Sequence, residues 1–95
     1  MSLVGDWTVD PDDQRALSDL GSVLMEFRPG GELIYTLAGG EKAQVMLMTY
    51  EVRGSEIVTN QPSNPRIERT SFELEGDDTL ILAFGGTPYR FKRMR

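Results

Sequence analysis

The chain has 95 residues, too few for two separate cores, and is read as one domain over residues 1–95. Fifteen Asp and Glu against ten Lys and Arg give a net charge of -5, which repels a phosphate backbone and argues against nucleic acid as a partner. With no Cys and no His, disulfides, thiol nucleophiles, imidazole bases and the usual zinc ligands are excluded, so no cofactor or metal is expected. No apolar run approaches the roughly 18 residues of a spanning helix, so no membrane span is expected.

The N-terminal Met1-Ser2-Leu3 has neither a basic stretch nor the apolar core of a secretory signal. A short lead of this kind is also common at engineered starts, so residues 1–3 are either native or an added lead in place of a trimmed start, and the compartment, cytoplasmic or exported, is left open. Glycines and prolines then cut the sequence into short pieces with two-residue alternation, the pattern of half-buried strands. Strands are expected over 4–9, 22–28, 32–38, 43–53, 56–60, 66–75, 79–85 and 87–93. One short helix is expected after the first strand, with Asp10 as cap, Pro11 at its first position and Gly21 as its stop. Ala16, Leu17 and Leu20 would share its buried face. Asp10, Asp12 and Asp13 also suit a calcium ion chemically, but their spacing lacks the loop pattern of calcium sites, and capping is preferred.

Between the second and third strands, Arg28-Pro29-Gly30-Gly31 predicts a type II turn and a hairpin. Leu37 to Glu41 is a looser connection, and Asn60 to Pro65 suits a mobile rim loop. The tight turns at 53–55, 76–78 and 85–86 make the remaining strands a meander. Arg90, Lys92, Arg93 and Arg95 concentrate positive charge at the end of the chain, either to keep an edge strand soluble or to dock an acidic partner.

Alternation places Val23, Met25 and Phe27 on one face, followed by Leu33, Tyr35 and Leu37, then Met46, Met48, Tyr50 and Val52. Thr70, Phe72 and Leu74, then Leu80, Leu82 and Phe84, then Tyr89 and Phe91 continue that face. An apolar face this long must be enclosed, and closure into a small up-and-down antiparallel β-barrel of about eight strands is the simplest way. A half barrel that completes its core against a second copy is the alternative. Outward Leu24, Ile34, Val45, Leu47, Ile81 and either Ile57 or Val58 form a second apolar set, which favours a homodimer or partner surface.

Gly5-Asp6-Trp7 resembles the Gly-x-Trp opening of the lipocalins and related calycin barrels. Taken with Phe27, Pro29-Gly30-Gly31, Tyr50-Glu51-Val52, Phe72-Glu73-Leu74, Leu80-Ile81-Leu82 and Phe91-Lys92-Arg93, nearly the whole chain is similar to the small bacterial lipocalin-like domains. The resemblance implies an all-β barrel in which Trp7 sits at the closed end beneath a C-terminal arginine, here Arg93, with Gly5, Trp7 and Arg93 as a structural signature. It also implies binding of a small apolar molecule. Lipocalins are longer, with longer loops, so a large cup is not expected.

A ligand would meet the inward and flexible residues Met25, Phe27, Tyr35, Met46, Met48, Tyr50 and Phe72, with Glu68 near the rim. Met is equally an ordinary core filler, so a filled interior is the competing expectation. Glu68 is in phase with Thr70 and Phe72, and convergence with Tyr35 and Tyr50 would allow proton-transfer chemistry. The simpler expectation is a solvated Glu68 paired with a neighbouring arginine. No nucleophile elbow, phosphate loop or metal-ligand pair is present, so the chain is expected to act without catalysis, by binding a small apolar molecule or through its rim as an interaction, inhibitor-type or homodimeric module.

Overall fold

A computed structural model describes residues 2–39, 42–62 and 65–94. Along the chain the elements are β1 (Gly5–Val9), α1 (Gln14–Leu20), β2 (Ser22–Phe27), β3 (Glu32–Gly39), β4 (Lys42–Arg53), β5 (Glu56–Asn60), β6 (Ile67–Glu75), β7 (Thr79–Phe84) and β8 (Thr87–Arg93). Each strand pairs antiparallel with the next, and β8 returns to β1 with Trp7 opposite Arg93 and Val9 opposite Phe91. The sheet is therefore a closed up-and-down barrel. Closure removes both free edges, so the half barrel is set aside and the basic strand β8 is not an edge. Its charges are used locally: Arg90 pairs with Glu75 at 3.4 Å and Arg93 turns inward over Trp7. Arg95 lies outside the described residues, as do Gly40, Glu41, Ser63 and Asn64 of the two loosest expected loops.

The inward set follows the alternation. Trp7, Val23, Met25, Phe27, Leu80 and Phe91 are buried in one core with Leu33, Leu82 and Tyr89. On β5 the register resolves the open choice, because Ile57 is buried and opposes Thr70, leaving Val58 on the outer face opposite Arg69. Leu3 is also buried, and its carbonyl accepts the Trp7 indole N–H at 2.9 Å.

Three local expectations are corrected. The β2–β3 turn closes through Gly31 N–H to the Arg28 carbonyl at 3.1 Å, but the positive φ (89°) falls on Gly31 and not on Gly30. A turn over Pro29-Gly30 followed by a left-handed glycine matches the right-handed twist of the flanking strands, which a type II turn would splay. Second, the helix cap is Asp13. Asp10 is still held by the barrel, its N–H donating to the Arg90 carbonyl at 2.9 Å just beyond the end of β1, so its backbone is tied to β8 and does not begin the helix. Its carboxylate instead accepts the Asp12 N–H at 2.9 Å within a tight turn, and α1 starts three residues later than expected. Third, Leu17 is exposed. In a helix of seven residues, Ala16 and Leu20 lie four apart on the barrel side, and Leu17 is rotated away from it.

Candidate functional site

The two barrel ends differ in how much side chain they hold. At the end where β1 begins and β8 finishes, the guanidinium carbon of Arg93 stands 4.3 Å from the centroid of the Trp7 ring. Its three nitrogens donate to main-chain carbonyls: Nε to Asp77 at 2.6 Å, and the terminal pair to Val4 at 2.7 Å and Ser2 at 2.6 Å. One side chain thus joins the N-terminal segment, the β6–β7 turn and the indole. Gly5 makes room for it, since a Cβ at this position would run into the Arg93 guanidinium, and its φ of 138° suits only glycine. The physical content of Gly-x-Trp here is a glycine that admits the arginine and a tryptophan that receives it. Phe27 and Tyr50 pack edge to face at 5.0 Å toward this end, and the Tyr50 hydroxyl donates to the Arg28 carbonyl at 2.7 Å. Burial pushes the Tyr50 hydroxyl above its ordinary pKa.

Toward the opposite end the interior is not filled, and a cavity of ≈ 380 Å³ opens at the rim. The sequence leaves this room in two ways. Thr59 and Thr70 are small at inner positions of β5 and β6, and on β4 the wall is made of flexible methionines, Met46 and Met48. Phe27, Leu33, Leu82 and Phe84 complete an apolar lining, Tyr35 adds a hydroxyl from β3, and Gln61, Arg66 and Glu68 stand at the mouth. Burial raises the Tyr35 hydroxyl above its ordinary pKa, so at neutral pH it is protonated and a donor. Glu68 pairs with Arg66 at 2.9 Å, and both side chains are more than half exposed.

Of the residues expected to meet a ligand, Met25, Phe27, Tyr35, Met46, Met48 and Glu68 are brought together around this cavity. Tyr50 and Phe72 are not among them. They border an apolar groove at the other end with Leu3, Val52 and Leu74, so Tyr35, Tyr50 and Glu68 do not converge. Sequence reasoning placed Thr70 inward without counting it as lining, weighed Ile57 for the outer face and passed over Thr59, and the signal for the threonines was available: small polar residues in phase with large apolar ones leave space inside a barrel.

The barrel wall is also uneven in height. β4 pairs with β3 as far as Gly39 opposite Lys42, but its pairing with β5 reaches only Thr49 opposite Asn60. Among the described residues, the stretch from Ala43 to Met48 therefore has a ladder partner on one side alone. Because Tyr50 N–H donates toward β3, to the Gly31 carbonyl, the alternate residues Ala43, Val45 and Leu47 turn their N–H and C=O groups to the unpaired side. The side chains of Val45 and Leu47 are exposed at 58% and 65%.

A closed eight-stranded antiparallel barrel with a plugged end, a cavity at the other and one short helix after the first strand is consistent with a calycin-like fold. A scan against protein-family models found no match, and a search of curated proteins found no significantly similar relative.

Proposed function

We propose that this protein is a non-catalytic, lipocalin-like binding module that holds a small, largely apolar molecule in the barrel cavity. The observation that carries the reading is the ≈ 380 Å³ space lined by Met25, Met46, Met48, Leu33, Leu82 and Phe84. Such a volume falls within the range of small-molecule sites, about 300–1,000 Å³. At about 30 Å³ per water-sized group it suits a molecule of roughly a dozen heavy atoms. Removing that much apolar surface from water supplies the driving force, and the flexible methionines let the wall adapt. A role without catalysis is supported by the separation of the titratable groups: Glu68 is solvated and paired at the rim, and Tyr50 is committed to a main-chain carbonyl at the far end. The test is saturable binding of a dye that brightens in apolar pockets, displaced by nonan-2-one or octan-1-ol. Met46→Trp, which fills the cavity from a half-buried position, should abolish that binding while the β-sheet circular dichroism is kept. Failure of every such compound to bind the wild-type chain sinks the reading.

A second reading is favoured by the stretch of β4 that has a ladder partner on one side alone among the described residues. Ala43 to Tyr50 contains no charge, and its free backbone groups and exposed Val45 and Leu47 are those of an edge that has not been blunted. The occupant that fits is a second copy of the same stretch, because antiparallel pairing about Val45 is two-fold symmetric and satisfies both edges at once. The reading stands or falls with the oligomeric state of the intact chain across a dilution series.

A further inference from the structure

We infer that the cavity selects a neutral molecule, an apolar body carrying one oxygen that accepts a hydrogen bond, and that the Tyr35 hydroxyl is the donor to it. This rests on the reading of the cavity as a ligand site and names its ligand class. The three tyrosines of the chain are used differently. Tyr50 donates to the Arg28 carbonyl and Tyr89 to the Asp19 carboxylate, each at 2.7 Å. Tyr35, set on β3 between Met25 and Met46, faces the cavity and has no hydrogen-bond partner among the described residues. A hydrocarbon filling the space would shut that hydroxyl off from water and leave it unsatisfied. A ketone, ester or ether oxygen would replace the water bond.

Charge narrows the class. Arg66 and Glu68 are the charged side chains of the lining, and they answer each other at the mouth, exposed to solvent. A carboxylate or an amine drawn deeper would lose its hydration without meeting an opposite charge, whereas a neutral oxygen loses far less. Thr59 and Thr70, on the same lining, add hydroxyls that tolerate a polar atom without demanding one.

The experiment compares three ligands of similar length on the wild-type chain and on Tyr35→Phe, by displacement of an apolar-pocket dye: nonan-2-one, 2-methylnon-1-ene (the same skeleton with the oxygen replaced by a methylene) and nonanoate. The wild type should bind the ketone about five- to tenfold tighter than the alkene, the effect of one net hydrogen bond. Tyr35→Phe should erase that ratio and bind the alkene more tightly than the wild type does, because no hydroxyl is then shut off from water. A ratio that survives in Tyr35→Phe, or nonanoate binding tighter than the ketone, overturns the inference and leaves the cavity as a ligand site. If none of the three displaces the dye from the wild type, the cavity reading fails and the inference fails with it.

Discussion

Arg93 lies with its guanidinium carbon 4.3 Å from the centre of the Trp7 ring, and the two residues are direct cross-strand neighbours where the last strand meets the first. The cation–π contact alone is worth about 0.5–2 kcal/mol. Its three hydrogen bonds to carbonyls hold the Ser2 to Val4 segment and the β6–β7 turn against the barrel. Arg93→Ala should therefore destabilise the chain by about 2–4 kcal/mol in urea unfolding, since both the contact and the charged hydrogen bonds are lost. Trp7 emission should shift to the red as the indole gains water. Arg93→Lys should recover less than half of the loss, because an ammonium cannot meet three carbonyls in the planar spread of a guanidinium. Equal stability of wild type and Arg93→Ala would show that the plug is ornamental.

Gly5→Ala tests the same assembly from the other side. A methyl group there both meets the Arg93 guanidinium and sits on a backbone at φ 138°. The expected cost is about 1–3 kcal/mol for the backbone alone. If steric conflict with Arg93 is real, the double variant Gly5→Ala with Arg93→Ala should lose less than the sum of the two single losses.

The Asp13 carboxylate joins α1 to the barrel by accepting two main-chain N–H groups, from Ala16 at 3.0 Å and from Arg90 at 2.9 Å. The Ala16 bond first, and the Arg90 bond next, hold its pKa below the ordinary carboxylate value. A depressed folded pKa means that this stabilisation is complete above the unfolded value, about pH 4, and is lost as pH falls through the folded one. Asp13→Ala should cost about 1–2 kcal/mol at neutral pH, as lost caps do. The gap between variant and wild type should close as the pH falls below about 4. Denaturant unfolding at pH 7 and at pH 3 checks this, and a gap that stays constant would remove the ionised carboxylate from the account.

On the far side of the same helix, the Tyr89 hydroxyl donates to Asp19 at 2.7 Å across 70 residues of sequence. That hydrogen bond to a carboxylate, ahead of burial, raises the Tyr89 pKa. A raised folded value reverses the sign found for Asp13: the contribution is whole below the unfolded value, about pH 10, and disappears as pH climbs through the folded one. Tyr89→Phe keeps the ring packing against Phe84 at 5.9 Å and removes only the hydroxyl. Hydrogen exchange should then speed up in α1 and remain slow in β2 and β7. Uniform acceleration over the barrel would instead mean that Tyr89 matters through its packing.

The parts legible in the sequence were those set by short-range rules. Period-two alternation found the strands and the inward face, because one residue of slip would turn every apolar side chain outward. The meeting of Gly5, Trp7 and Arg93 at one end was implied by the resemblance to lipocalin-like barrels, and strand phase gave only the inward face on which Arg93 lies. What escaped were outcomes of competition between neighbours. Asp10 reads as a helix cap, but the ladder to β8 holds its backbone first. Tyr50 and Phe72 share the phase of the cavity residues, yet where they lie along the barrel axis depends on strand tilt and stagger. Alternation records the face and not the height. The stretch of β4 with a ladder partner on one side alone among the described residues was hidden for a related reason, since it follows from one strand of twelve residues pairing with one of five.

That inequality yields the last expectation. If two copies pair through β4, Val45 sits at the two-fold axis, and Leu47 of one copy lies beside Ala43 of the other. Both side chains point away from the core, so Val45→Lys and Leu47→Lys should leave the melting transition of the barrel nearly unchanged. Each charge would nevertheless face its own copy or an apolar neighbour across the edge, the device by which natural sheets prevent such pairing. Sedimentation velocity should show a wild-type dimer that dissociates on dilution. Each lysine variant should remain monomeric at concentrations at least about tenfold higher, equivalent to about 1.4 kcal/mol of lost association. Monomeric wild type at the highest soluble concentration would leave the stretch as an exposed edge without a symmetric partner, and the cavity as the working part of the molecule.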